Sequence, residues 1–163
     1  MIDPPSSHPR LERIARAVIE ANKYMTLATA DGSGRPWASP VYYTPGGYDV
    51  FYWVSSPGSV HSSNLAQRPE LSIVIFDSQA QIGTGEAVYM VARADIVPDD
   101  GLERCAATYG SRFPELRVFR PHELRAPAEL RLYRATVAEH SVLVRGSDPE
   151  FGRGVDTRLV VGI

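Results

Sequence analysis

Cysteine is nearly absent from this chain: Cys105 stands alone among 163 residues, so no internal disulfide can form and a reducing cytoplasmic compartment is expected. Long apolar runs are missing too. None reaches the roughly 18 residues that would suggest a membrane span, and the opening MIDPPSSHPR lacks the basic-then-apolar order of a signal peptide. Neither charge is in excess: 17 Lys and Arg face 19 Asp and Glu, for a formal net charge of -2, with no long block of one sign. That removes the basic footprint on which nucleic-acid affinity rests. His8, His122 and His140 lie far apart without metal-ligand spacing, so no metal site is expected. No Ser/His/Asp triad, paired-acid site or nucleotide P-loop stands out either, and no catalytic side chain is singled out.

What the chain does have is 44% apolar residues in short, punctuated runs, enough for one core and one domain over residues 1–163. Leu11, Ile14, Ala15, Val18 and Ile19 recur at spacings of three and four. They predict a helix over about 9–22, with Pro9 near its start and Ser7 as its cap. The period then changes to that of strands: YMTLATA (24–30), WASPVYY (37–43), YDVFYWV (48–54) and LSIVIF (71–76) are rich in β-branched and aromatic residues between turn formers. The short loops DGSGRP and TPGG predict an antiparallel meander of the first three.

A longer strand is expected over 81–97, with a bulge at Gly83 and Gly85, then a helix carrying Leu102, Cys105, Ala106 and Tyr109 on one face. Closing strands follow at 129–139 and 141–144, with a tail from 146 to 163 left unassigned. The expected fold is mainly β: a six-stranded antiparallel barrel over about 23–145 with flanking helices, closed because closure removes exposed edges.

The stretch FYWVSSPGSVHSSNLAQRP (51–69) breaks this regularity, crowding small hydrogen-bonding groups around one imidazole where a strand gives way to a helix start. Free N–H groups at such a start, with short hydroxyls beside them, are suited to a phosphate. Taken in order, the helix, ATADGSGRPWASPVYY, this stretch with ELSIVIF after it, and GTGEAVYMVARADIV resemble the pyridoxamine 5'-phosphate oxidase-like family of flavin-binding split barrels. The resemblance covers Tyr24 to Val97 well and the rest loosely.

The resemblance implies a phosphate site at the end of the third strand and the following turn: Val54, Ser55, Ser59, Val60, His61 and Asn64. It implies a ring site along the second strand at Ser39, Pro40, Val41 and Tyr42, with Ser39 and Val41 offering side chains, and a contribution from Gln79 or Gln81. His61 stands where such proteins usually carry Lys or Arg. A neutral imidazole donates one hydrogen bond and no charge, so a weaker or more pH-dependent phosphate site is expected.

By the same resemblance the cofactor is FMN, or alternatively the deazaflavin F420, bound at a homodimer interface and passing a hydride to or from a small organic substrate. A non-catalytic flavin-sequestering protein and a haem-handling member of the superfamily are the rival readings. True pyridoxamine-phosphate oxidase activity is not expected, because EFGRGVDTRLVVGI does not match the substrate-gripping C-terminal segment of those enzymes. Cys105 reads as a small buried hydrophobe. The arginines Arg112, Arg117, Arg120, Arg125, Arg131 and Arg134, interspersed with glutamates, read as a solvated charged face.

Overall fold

Side-chain alternation decides what the first strand buries: in β1 (Tyr24–Ala30), Met25, Leu27 and Thr29 point inward and are buried, while Tyr24, Thr26 and Ala28 face out. The computed structural model describes residues 8–163. Within them, β2 (Pro36–Tyr42), β3 (Thr44–Pro45), β4 (Val50–Ser55), β5 (Glu70–Phe76), β6 (Ala87–Ile96), β7 (Arg131–Val144) and β8 (Thr157–Val161) join β1 in one antiparallel sheet. The helices are α1 (Pro9–Ala21), α2 (Val60–Gln67) and α3 (Leu102–Gly110). The expected cap Ser7 lies outside the described residues; Pro9 opens α1 as expected, and Leu11, Ala15, Val18 and Ile19 form its buried stripe.

The sheet runs β2-β1-β5-β6-β7-β4-β3, with β8 beside β7. Its curl has two identifiable causes. Opposite Val91 and Ala92 of β6 stand Glu139 and Val137 of β7, so Ala138 is an extra residue, and such a bulge bends its strand and increases the local twist. Only Tyr43 separates β2 from β3, which lie at opposite ends of the strand order, so the chain itself draws the two edges together. Tyr43 is fully buried there, its hydroxyl donating to the carbonyl of Ile19 at 2.5 Å.

The mainly antiparallel curled sheet with flanking helices meets the expectation, but it has eight strands where six were expected, and four further details differ. The first three long strands are no meander: β1 pairs with β2, but β4 pairs with β3 and β7, because the chain crosses between edges at Tyr43. The strand expected from 81 begins at Ala87, since residues 81–84 form a turn closed by Thr84 N–H to Gln81 C=O, with Gly83 at φ +85°. The expected bulge therefore sits at Ala138, away from these glycines. The two closing strands are one, β7, whose first half pairs with β4 and second half with β8. The unassigned tail supplies β8, held at its turn by Arg10 to Asp148 and Glu150.

Two apolar clusters result. The main one fills the barrel and is covered by α1. The second lies between α3 and the outer side of β4 and β7, and takes in Cys105, buried as expected, with Leu102, Tyr109, Leu124 and Leu132.

Candidate functional site

Phe51, Trp53 and Ser55 alternate onto the inner face of β4, so the strand delivers the Ser55 hydroxyl to the rim of the barrel as its last inward group. The chain then turns through Ser56 to Ser59, with Ser59 N–H donating to Ser56 C=O at 3.1 Å. Ser59 becomes the cap of α2 in extended backbone (φ -69°, ψ 153°), its hydroxyl accepting from the N–H of Ser62 at 3.3 Å. Small capping residues are what this geometry requires. The N–H groups of Val60 and His61, the next two in line, have no acceptor among the described residues.

His61 lies beneath this turn, 9% exposed. Its Nε2 is 2.9 Å from Ser55 Oγ and 3.1 Å from Ser59 Oγ, and its Nδ1 is 3.2 Å from Ser39 Oγ on β2. The Trp37 indole N–H donates to the same Ser39 oxygen at 2.9 Å. Two segments far apart in sequence, 37–39 and 55–61, are thus joined through one imidazole. Asn64 fixes the helix from below, donating to Thr29 of β1 at 3.1 Å.

The cluster is polar but uncharged. Burial pushes the His61 imidazole below its ordinary pKa, which leaves it neutral at pH 7. None of the hydrogen bonds of Ser39, Ser55, Ser59 or His61 involves a Lys or Arg. The nearest guanidinium groups in sequence serve the β1–β2 turn: Arg35 pairs with Asp31, and Arg68 donates to Gly32 C=O. A neutral His61 donates from one nitrogen and accepts at the other, so the protons on Ser39 and Ser55 must reorient with its tautomer, while Ser59 gives its own to the Ser62 hydroxyl. The set offers hydroxyls, an imidazole and two free amides, which fit the oxygens of a phosphate in hydrogen bonding but do not match its charge.

Ser39, Ser55, Ser59 and His61 come together, and Val60 stands at the helix start with an exposed side chain. Other named residues lie elsewhere. Val41 packs in the main core, Pro40 is exposed on the outer face of β2, and Val54 faces the second apolar cluster. Tyr42 sits edge-on to Tyr24, Tyr109 and Phe113, its hydroxyl without a partner among the described residues. Gln79 and Gln81 occupy the exposed loop after β5, which pairs with β1 so that this loop continues past the Tyr24 end, away from Trp37 and α2. Trp37 and Thr29 were missed as site residues. Trp37 was accessible from strand period alone, being two residues before Ser39 on the same face; Thr29 needs the β1–β2 register, in which it opposes Trp37.

The model of the pyridoxamine 5'-phosphate oxidase family matches residues 11–142 of this chain. No curated protein matches it. Among solved structures, the fold is similar to a heme binding protein from Mycobacterium smegmatis at 21% identity and TM-score 0.69, covering 94% of this chain and 59% of that one. It is similar to HutZ, the heme storage protein of Vibrio cholerae, at 24% identity and TM-score 0.65, covering 88% of this chain and 98% of that one. It is also similar to an FAD-binding protein from Mesorhizobium loti at 22% identity and TM-score 0.62, covering 83% and 92%. The chain thus spans 59% of the mycobacterial protein's length, and at these identities the likeness is one of fold. With most of its length matched by the family model and its sheet curled into the same split barrel, the chain belongs to the pyridoxamine 5'-phosphate oxidase family.

Proposed function

We propose that this protein is a flavin-dependent oxidoreductase that takes FMN, its phosphate at the start of α2 and its ring along β2. The observation that carries the reading is the convergence of Ser39, Ser55, Ser59 and His61 beside the free amides of Val60 and His61. When bound, the flavin supplies hydride transfer at its N5. The residues of this chain hold the phosphate oxygens, orient the ring through Ser39 and β2, and keep the rim of the barrel closed behind Trp53. The substrate is a small organic molecule. True pyridoxamine-phosphate oxidase activity is not part of the proposal.

A second copy of the chain is the proposed partner. The outer face of the sheet exposes Tyr24, Phe76, Val91 and Val160 and carries Glu139 and Arg158 of opposite sign, a composition suited to a two-fold contact. Among the described residues no helix is long and apolar enough to cross a membrane, and a cytoplasmic setting accords with the single buried cysteine.

The test is to purify the protein from its native host, identify the released chromophore by mass, and titrate the stripped protein with FMN and F420. FMN in the released material, with micromolar affinity on titration, supports the reading; F420 in its place moves the chemistry to the deazaflavin. A colourless protein that binds neither overturns it. One observation favours the non-catalytic alternative: the lack of a Lys or Arg among the hydrogen bonds of the cluster, which a sequestering protein tolerates more easily than an enzyme that must hold the ring through turnover.

A further inference from the structure

Between α2 and the end of β6 lies a cavity of ≈ 360 Å³ to which the flavin reading assigns nothing. Ser62, Leu65 and Ala66 form its helical wall, Asp95 and Ile96 belong to β6, and Tyr133 of β7 contributes an aromatic wall. His61 is not among its lining residues. The Tyr133 ring stacks on the fully buried Trp53, with centroids 5.4 Å apart and planes 14° from parallel, which makes that wall flat and rigid.

Two polar residues line the cavity, and they differ in what they have left to offer. Asp95 is held by both arms of the Arg134 guanidinium, at 3.0 and 2.9 Å, so its charge is already matched. Ser62 is 3% exposed; its oxygen accepts from the Ser59 hydroxyl at 2.8 Å, and its own O–H proton has no acceptor among the described residues. A buried hydroxyl donor is costly to leave unused. The cavity therefore has apolar walls, one flat face and one spare donor. A cation would find only a compensated carboxylate, and an anion would find no uncommitted base.

We propose that this cavity binds a small, neutral, planar molecule, about the size of two fused rings, whose carbonyl or equivalent acceptor takes the Ser62 hydroxyl proton. Its volume lies within the range of small-molecule pockets, about 300–1,000 Å³. The site stands independently of the flavin reading, although Ser59 links the two: it bonds Ser62 on one side and His61 on the other.

Coumarin, a neutral bicyclic lactone, is a suitable probe, and indene has the same shape without the carbonyl. Titration of the full chain followed by protein-observed NMR is expected to give saturable coumarin shifts centred on Ala66, Ala94 and Ile96, with a dissociation constant below about 1 mM. Ala66 is exposed, so Ala66→Trp fills the cavity without disturbing the core; it is expected to weaken coumarin by at least about tenfold and leave FMN affinity unchanged. Ser62→Ala is expected to weaken coumarin about fivefold to tenfold and to leave indene, already weaker in the wild type, unaffected. Absence of saturable shifts, shifts centred elsewhere, or indifference to Ala66→Trp overturns the site. Equal binding of coumarin and indene overturns the assigned role of Ser62. Failure of FMN to bind while coumarin still does would break the flavin reading alone.

Discussion

Two helix ends in this protein are treated in opposite ways. At the C-terminus of α1, Arg112 donates to the carbonyls of Ile19, Glu20 and Asn22 at 2.8, 3.1 and 2.9 Å, and to Tyr43 C=O at 2.8 Å. Its guanidinium lies over the rings of Tyr43 and Phe113, 4.4 and 4.9 Å from their centroids. A cation thus meets the negative end of the helix and consumes the carbonyls a terminus leaves open. At the N-terminus of α2 the positive end meets only hydroxyls and a neutral imidazole, and two amides have no acceptor among the described residues. Side chains complete the first end, so it is architecture. The second is complete only in its hydroxyls, and it retains the donors that an incoming anion needs.

The largest effect expected from this contrast is at Arg112. Arg112→Ala strands several carbonyls at the junction where the chain crosses between sheet edges, and should cost about 3 kcal/mol or more in urea unfolding. Arg112→Lys should recover only part of that, since a point charge cannot satisfy four carbonyls or lie flat on two rings. If Arg112→Ala costs no more than an exposed arginine such as Arg13, the clamp is not architecture and the comparison fails.

The next effect is of pH. Burial lowers the pKa of both His61 and His140; at His140 the carbonyl of Tyr48, 2.7 Å from Nε2, and Asp49 nearby only partly oppose the shift. A histidine whose folded pKa lies below its unfolded value costs nothing above the unfolded pKa. As pH falls through about 6.5 the unfolded chain takes up the proton first, and stability declines toward the folded pKa by up to about 1.4 kcal/mol per pH unit for each such residue. Unfolding measured from about pH 8 down to 5 should show this slope, and His61→Gln should remove part of it. A flat profile would mean that His61 is not held neutral.

Charge at the open end can also be tested with a ligand. His61→Lys should raise FMN affinity about tenfold over wild type near neutral pH. Riboflavin, which lacks the phosphate, should show little change. In the wild type the preference for FMN over riboflavin should grow as pH falls from about 8 to 6, because only protonated His61 carries charge; in the lysine variant that trend should vanish. Equal FMN affinities for the two proteins across this range would show that no phosphate meets His61.

How much of this could be read from the sequence follows the same division. The strands and α1 were legible because alternation and three-four spacing report burial directly, as in Met25, Leu27 and Thr29 or Leu11, Ala15, Val18 and Ile19. Ser55, Ser59 and His61 were legible because they are close in sequence. Ser39 was named only through resemblance, and its tie to His61 depends on a crossing between sheet edges that no local pattern records. Arg112 read as one arginine of a charged surface, and only the fold shows it closing α1. The tail Thr157–Val161 was unreadable because its pairing partner, the second half of β7, is itself fixed by the bulge at Ala138.

The smallest effects are at Ser59, and they separate ligand binding from structure most cleanly. Ser59→Ala removes the cap of α2 and should cost about 1 kcal/mol in unfolding free energy, against the larger loss at Arg112. Ser59→Asp caps about as well as serine, and its carboxylate is favoured by the helix dipole, so the unfolding free energy should stay within about 0.5 kcal/mol of wild type. That same carboxylate would occupy the free amides and repel a phosphate. FMN affinity should therefore fall in Ser59→Asp while riboflavin affinity holds, measured by flavin fluorescence quenching. A variant that keeps both its fold and its preference for FMN would place the phosphate somewhere other than the start of α2, and the two helix ends would then differ only in how each is capped.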